Sequence, residues 1–163
     1  MKWRRTLRHL LMPPWRTHRL FGGATLQAIE RAVRKSETTH HGQICVAIEA
    51  ALEIKPLLRN LTARERALEV FGQLRVWDTE HNNGVLLYVL LADRDVEILA
   101  DRGIHRRVAP DAWERICKQI EAEYRAGRYE AGTVAGIAAI GELLAAHYPG
   151  ARGNELPDRP TIV

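Results

Sequence analysis

The chain has 163 residues, 46% of them hydrophobic and 27% charged, a balance typical of one soluble globular domain. It excludes collagen-like, low-complexity and wholly disordered proteins. No stretch of 18 or more residues is both apolar and uncharged, so we expect no membrane-spanning helix. Cys45 and Cys117 each lie in an apolar segment without a second cysteine nearby, which favours a reducing compartment over a disulfide framework or a zinc cluster.

The positive charge is concentrated at the amino end. The formal net charge is +4, yet the first 29 residues contain six Lys and Arg residues and no acid, so the rest of the chain is nearly neutral. Residues 1–21, which we call the basic arm, mix these arginines with tryptophans and leucines. The arm lacks the long apolar run of a secretory signal. We therefore expect a cytoplasmic protein.

The arm has two competing interpretations. As an amphipathic segment it can bind an anionic membrane surface, peripheral to the inner membrane, or a membrane protein. Alternatively, its apolar residues pack on the parent domain while its arginines face solvent. Nucleic acid is not an expected partner, because nothing beyond the arm is basic. The candidate binding residues are Trp3, Arg4, Arg5, Arg8, Trp15 and Arg16.

The next elements are a helix, a strand and a second helix. Apolar residues at intervals of three to four predict a helix over residues 24–39. Residues 43–50 are almost continuously apolar, which is typical of a strand buried on both faces. Thr62 and Glu65 have the spacing of a capping box, so a helix begins there, with an apolar face that extends to Trp77.

The second half predicts a hairpin and two helices. Residues 85–91 form a central strand, joined by a short turn to a strand over residues 96–100. Two helices follow, the last over residues 130–147. The order α-β-α-β-β-α-α predicts an α/β three-layer sandwich, in which helices flank both faces of a small mixed sheet and the first two strands are parallel. The expected divisions are the arm 1–21, the α/β domain 22–149 and an irregular tail 150–163, rich in proline and glycine.

This topology brings polar loops together at one edge of the sheet, which we call the rim. Calcium accepts carboxylate and amide oxygens in irregular geometry, so we predict a calcium-type site there. Its oxygen ligands would be Asp78, Asn82, Asn83 and Asp101, with Glu80 nearby. Histidines of the same loops offer an alternative, because imidazoles can hold zinc or transfer protons. These histidines are His40, His41, His81 and His105.

Two considerations weigh against chemistry at the rim. Open α/β sheets usually bind ligands outside the carboxyl ends of parallel strands, whereas the rim lies at the amino ends. A structural interpretation is also available, in which Asp78 ends a helix, Asn83-Gly84 makes a turn with positive φ, and the histidines are exposed. No phosphate-binding or nucleophile-elbow motif is present. The turn around Asp93 is expected to be a solvated hairpin tip.

Three segments together resemble the TPM domain, a family that includes a thylakoid-lumen protein of photosystem repair and many bacterial proteins. They are Asn82-Asn83-Gly84-Val85-Leu86-Leu87-Tyr88-Val89, then Asp93-Arg94-x-Val96-x-Ile98, and finally Tyr124-Arg125-Ala126-Gly127-Arg128-Tyr129-Glu130-Ala131-Gly132 with Ala135-Gly136. The resemblance covers about residues 26–148. It implies an α/β sandwich with a central mixed sheet, in agreement with the order of elements.

The resemblance also implies functions. TPM domains have been linked to acid-phosphatase activity, calcium binding and the assembly or repair of membrane complexes. We therefore expect a binding module with a calcium-type site. The alternative is a weak metal-assisted phosphatase in which His81 or His105 delivers a proton. The chain departs from the family pattern twice: Leu20-Phe21-Gly22-Gly23 replaces an acidic element before the first helix, and Asp101-Arg102-Gly103 replaces a Gly-x-Gly.

Overall fold

A computed structural model describes residues 2–13 and 15–163 of the chain. The described helices are α1 (Lys2–Leu10), α2 (Trp15–Leu20), α3 (Gly23–Ser36), α4 (Ile54–Leu58), α5 (Ala63–Gln73), α6 (Arg102–His105), α7 (Pro110–Arg125) and α8 (Tyr129–His147). The described strands are β1 (Gln43–Glu49), β2 (Gly84–Leu90), β3 (Asp95–Ala100) and β4 (Thr161–Ile162).

The sheet has the strand order β3-β2-β1-β4. β1 and β2 are parallel, in register from Gln43 opposite Gly84 to Glu49 opposite Leu90. β3 runs antiparallel to β2, and β4 pairs in parallel with the end of β1. Every residue of β1 and β2 is buried, because helices cover both faces of the central strands. The predicted α/β fold is confirmed.

Two apolar cores lie on the two faces of the sheet. Residues of α3, α7 and α8 form the larger core with one face, and α5 packs on the opposite face. α7 and α8 approach closely at Gly136, where a β-carbon would lie 2.3 Å from Ile120 Cδ1. The capping box is also confirmed: Thr62 Oγ1 accepts from the Glu65 amide, and the Glu65 carboxylate accepts from the Thr62 amide.

Several local predictions differ from the structure. The arm forms α1 and α2, and a short helix, α4, lies between β1 and α5, where the sequence predicted no regular element. α5 ends at Gln73 because Arg75 adopts a left-handed conformation, with φ 53°, that turns the chain away from the helix axis. Trp77 therefore lies beyond the helix and is 49% exposed, not part of its apolar face.

The tail is more ordered than its composition indicates. It has little regular structure, but it packs along the edge of β1 and ends in β4. The Gln43 side chain accepts hydrogen bonds from the amides of Glu155 and Leu156, and Leu156 is buried. Asp158 accepts a 2.9 Å hydrogen bond from Arg34. A segment rich in proline can add to a sheet in this way because an edge strand needs few ladder hydrogen bonds.

Candidate functional site

Backbone hydrogen bonds join the predicted loops at the rim, beside the amino ends of β1 and β2. The Asp101 amide donates to the Gly84 carbonyl at 2.8 Å, and the Gln43 amide donates to the Asn83 carbonyl at 3.2 Å. The Gly103 amide donates to the Asn82 carbonyl at 2.9 Å. The loop that precedes β2, the start of β1 and the end of β3 therefore meet, as the topology predicted.

Two of the four predicted oxygen ligands are engaged by arginines. The exposed Asp78 carboxylate accepts a 2.6 Å hydrogen bond from Arg75, and Asn82 Oδ1 accepts one of 3.0 Å from Arg102 Nε. The positive φ of this loop, 51°, occurs at Asn82, so the predicted turn at Asn83-Gly84 is displaced by one residue. Glycine is required at position 84 for a different reason, which is lack of space: a β-carbon there would lie 2.1 Å from the carbonyl oxygen of Val76.

The other two predicted ligands keep a free oxygen. Asn83 is fully buried, and its side-chain amide donates to the His41 carbonyl at 3.0 Å. Asp101 caps α6 by accepting the Arg102 amide at 2.7 Å through Oδ1. Within residues 2–13 and 15–163, Asn83 Oδ1 and Asp101 Oδ2 are buried and have no hydrogen-bond donor. Because Asp101 lies opposite Gly84 and strand residues alternate in direction, Asn83 and Asp101 point to opposite faces of the sheet.

Two of the rim histidines are in contact, since the rings of His41 and His81 lie edge to face with their centroids 5.2 Å apart. His40 is buried, not exposed as expected: its ring contacts the Gly42 carbonyl at 3.0 Å and Ser36 Oγ at 2.9 Å, and burial lowers its pKa. His81 Nε2 lies 2.9 Å from an Arg152 nitrogen and therefore serves as an acceptor. In the part of the chain that the structure describes, no three His, Cys, Asp or Glu side chains are placed to hold a metal ion.

The tail contributes to the rim, which the sequence did not indicate. The Glu155 carboxylate accepts a 2.8 Å hydrogen bond from the Glu80 amide, and Arg152 contacts His81. The rings of His41 and Tyr148 pack edge to face, with their centroids 5.3 Å apart. These contacts hold the loop before β2 against the tail, so most polar groups of the rim have a structural partner.

The arm docks on the domain through polar side chains. The Asp93 carboxylate, in the turn between β2 and β3, lies 2.7 Å from Arg5 Nη2 and 3.2 Å from Arg8 Nη2. His9 is buried: its Nδ1 accepts the Leu52 amide at 2.9 Å, and its Nε2 lies 3.0 Å from Asp93 at an angle too poor for a full hydrogen bond. Burial alone would raise the pKa of Asp93, but the hydrogen bond from Arg5 and the close contact with His9 outweigh it and hold that pKa below its ordinary value.

This docking corrects the expectation that Asp93 is a solvated hairpin tip, since its carboxylate is only 9% exposed. The chemical reason is that an acid next to an arm rich in arginine is drawn into ion pairs. The excess of basic residues in the arm predicted an acidic partner, but it did not identify Asp93 as that partner.

The apolar side chains of α1 are largely exposed. Trp3, Leu7 and Leu10 lie one helical turn apart along one side of the helix, and they are 65%, 45% and 57% exposed. Leu11 and Trp15 are also exposed. α1 packs beside α4, whose Ile54 and Leu58 are exposed as well. In α1 the expected packing is therefore reversed, since Arg5 and His9 contact the domain while the leucines and tryptophan are exposed. Further along the arm the expectation holds, because Phe21 is fully buried and Met12 and Leu20 pack against the core.

Comparison with known families now identifies the domain. The model of the TPM domain family matches residues 17–143, which is more than half of the chain. The chain belongs to the TPM domain family. No curated protein matches this TPM domain.

Two solved structures are similar to this TPM domain. The NMR structure of the BA42 protein from the psychrophilic bacterium Bizionia argentinensis is 31% identical, covers 86% of this chain and 93% of its own, and has a TM-score of 0.75. The N-terminal domain of a protein from P. gingivalis is 21% identical over 83% of each chain, with a TM-score of 0.64. The second likeness, at this low identity, concerns the fold alone.

The match to the family includes the rim but begins after α1. The Asn82-Asn83-Gly84 run and Asp101 both lie within residues 17–143, whereas α1 precedes them. No helix in the described ranges is long and apolar enough to cross a bilayer.

Proposed function

We propose that this TPM domain is a peripheral membrane-binding module that attaches to an anionic bilayer through the arm and α4. The observation that carries the proposal is the exposed apolar stripe of α1, made of Trp3, Leu7 and Leu10. Leucine and tryptophan on one side of a helix can enter the headgroup region of a bilayer, while nearby arginines meet anionic lipid.

The distribution of exposed apolar residues supports this proposal. Seven of the eleven large hydrophobic residues that are exposed in the described structure belong to the arm or to α4. Soluble domains seldom expose a contiguous apolar patch without a partner. The arginines add attraction to anionic lipid, about 1 kcal/mol for each one near the surface. The patch and its charge thus favour the same partner.

Binding to vesicles tests the proposal. We expect the full chain to sediment with vesicles of three parts phosphatidylcholine to one part phosphatidylglycerol, and much less with pure phosphatidylcholine. Leu10→Ser should weaken binding about tenfold, because the variant loses part of the 1.5–3 kcal/mol that a fully buried leucine provides. Leu68→Ser is the matched control, since Leu68 is 56% exposed on α5, away from the arm.

Equal effects of the two substitutions would place the binding surface elsewhere. No binding to anionic vesicles would refute a lipid surface, and a membrane protein would then become the expected partner of the same patch. Raising the salt concentration should weaken vesicle binding if the arginines take part, because salt screens exposed charges.

A second function rests on the free oxygens of the rim: we propose a weak calcium-type site anchored by Asp101. Asp101 Oδ2 is a buried carboxylate oxygen without a donor, and leaving such a group unpaired costs about 1–3 kcal/mol. Calcium takes six to eight oxygens, including waters, so most ligands would come from solvent and backbone. Asp78 and Asn82 would join only by leaving Arg75 and Arg102, and Asn83 faces the other side of the sheet.

Calorimetric titration with calcium, then magnesium and zinc, tests this site. Asp101→Asn should abolish saturable calcium binding while the asparagine preserves the cap of α6. Asp78→Asn, at an exposed carboxylate already paired with Arg75, should leave binding within twofold. The absence of calcium binding by the unmodified chain, or an equal loss in both variants, would remove the site.

No contact in the described residues favours the phosphatase alternative. His81 accepts from Arg152, and His105 is linked to Asp101 only through its backbone amide, which donates to the Asp101 carbonyl at 2.8 Å. Neither imidazole has a hydrogen bond to the Asp101 carboxylate among these residues. A proton donor and the free carboxylate oxygen are thus not assembled in one place.

A further inference from the structure

A cleft of about 760 Å³ opens between the arm and the turn that follows β2. This volume is in the range of small-molecule sites in proteins. The arm forms one wall, and the β2–β3 turn and the start of α8 form the other. Its apolar lining is Trp3, Leu7, Leu11, Met12, Leu20, Leu91 and Ala92; its polar lining is Arg4, Arg5, Arg8, Arg16, Arg94 and Tyr129.

The charge of this cleft has one sign. Five arginines line it, and none of the described lining residues is acidic. Asp93 lies behind the wall and pairs with Arg5 and Arg8. Among the described residues, Arg4, Arg16 and Arg94 have no carboxylate partner; Arg4 instead lies over the Trp3 ring, 5.6 Å from its centroid. The cleft is therefore complementary to an anion.

The backbone of Arg94 is also unusual. Its φ of 56° is in the left-handed region, which costs a residue with a β-carbon about 1–2 kcal/mol and which glycine or asparagine would adopt more readily. Residues held in such conformations often lie at ligand sites. The turn thus presents a guanidinium to the cleft from a strained position, opposite the arginines of the arm.

We infer that this cleft binds one anionic phospholipid, with the phosphate on the arginines and the upper part of an acyl chain along the leucine wall. Guanidinium groups recognise phosphate through paired hydrogen bonds, and apolar side chains accept the chain. The inference rests on the proposed membrane attachment and deepens it. Attachment through an apolar surface does not distinguish one lipid from another, whereas the cleft would prefer lipids with an anionic headgroup.

Short-chain lipids distinguish binding in the cleft from attachment to a bilayer, because they dissolve as monomers. Titration of the full chain with monomeric dihexanoyl phosphatidylglycerol, followed by NMR shifts of Arg94 and Tyr129, should show saturable one-to-one binding. Dihexanoyl phosphatidylcholine and glycerol phosphate, which lack the net charge and the chains respectively, should each bind at least tenfold more weakly. Glycerol phosphate that binds as tightly as the lipid would overturn the assignment of a lipid.

Arg94→Asn is the decisive variant. Asparagine tolerates the left-handed backbone, so the turn is preserved while the guanidinium is lost, and binding of the monomeric lipid should weaken five- to tenfold. Arg94→Lys should restore part of the affinity. Leu10→Ser lies outside the cleft and should leave monomer binding unchanged. An Arg94→Asn protein that binds the monomer as well as the unmodified chain would refute the site.

The outcomes for the cleft and for the surface are distinct. Attachment to anionic vesicles without binding of the monomer would refute the cleft and leave the proposed function standing. Monomer binding that is sensitive to Arg94→Asn, without attachment to vesicles, would support the cleft and refute bilayer attachment. Failure of both titrations would refute both.

Discussion

Replacing Asp93 with asparagine tests how the arm is held. This carboxylate is 9% exposed and contacts Arg5, Arg8 and His9, which lie within two turns of α1. Asparagine has nearly the same size and keeps one acceptor oxygen, so it removes the charge with little change in packing. If Asp93 is the anchor, the variant should loosen α1 without unfolding the sheet.

The magnitude follows from the exposure of each partner. The Arg8 side chain is 56% exposed, so its ion pair contributes little. The Arg5 side chain is 25% exposed and donates a hydrogen bond to the carboxylate, and hydrogen bonds to charged groups are worth about 1.5–3 kcal/mol. The His9 side chain is 0% exposed and adds a 3.0 Å contact. Because asparagine retains one acceptor, we expect a loss of about 2 kcal/mol, which corresponds to roughly a 30-fold fall in protection of the arm from hydrogen exchange.

Native-state hydrogen exchange measures this loss directly. The Leu52 amide donates to His9 Nδ1 and should lose protection, as should the amides of α1. The Val46 amide, in the middle of β1, should keep its protection and serves as the internal control. Asp95→Asn is the matched variant, since Asp95 lies two residues away and has no ion pair with the described residues of the arm. Unchanged protection of Leu52 in Asp93→Asn would refute the anchoring role.

The same anchor predicts how docking depends on pH. Burial opposes ionisation of Asp93, but the hydrogen bond from Arg5 and the close contact with His9 are stronger and lower its pKa in the folded state. A lowered carboxyl pKa stabilises docking fully above its unfolded value of about 4, and this stabilisation is lost as the pH falls through the folded pKa. Protection of the Leu52 amide should therefore decrease below about pH 4.

Two further predictions concern the core. Burial raises the pKa of Glu37 to about 7, although the hydrogen bond from the Ile44 amide acts to lower it. The free energy of unfolding should therefore fall as the pH rises from about 4.5 to 7, by at most about 1.4 kcal/mol per pH unit. Glu37→Gln should flatten this pH dependence in urea unfolding, and an unchanged dependence on pH would contradict the reasoning. Gly84→Ala should lower Tm by roughly 6–12 °C, because its β-carbon would strike the Val76 carbonyl, whereas Gly23→Ala meets nothing within 4 Å and should be neutral or slightly stabilising.

The fold was predictable because its signals are local. The apolar runs of β1 and β2 and the capping box at Thr62 each indicate burial or a helix start within a few residues. The crossover through α5 then required β1 and β2 to be parallel. β4 was not predictable, since its pairing with Ala47 and Ile48 depends on a tail whose composition is typical of irregular structure.

The sites were harder to predict because their contacts are distant in sequence. A helical stripe of Trp3, Leu7 and Leu10 shows that a helix has an apolar side, but not whether that side meets the domain or solvent. Here the ion pairs to Asp93, more than 80 residues away, decide the orientation. At the rim, Arg75 and Arg102 engage Asp78 and Asn82, and no spacing in the sequence indicated those pairings.

The strand β2 connects the rim to the turn that anchors the arm. The rim lies at its first residue and the turn that anchors the arm follows its last, so seven residues at about 3.3 Å each hold the two ends roughly 20 Å apart. With every residue of β2 buried, this spacing is rigid. Whatever surface the arm rests on, a ligand or partner at the rim would be held a fixed height above it, on the far side of the domain.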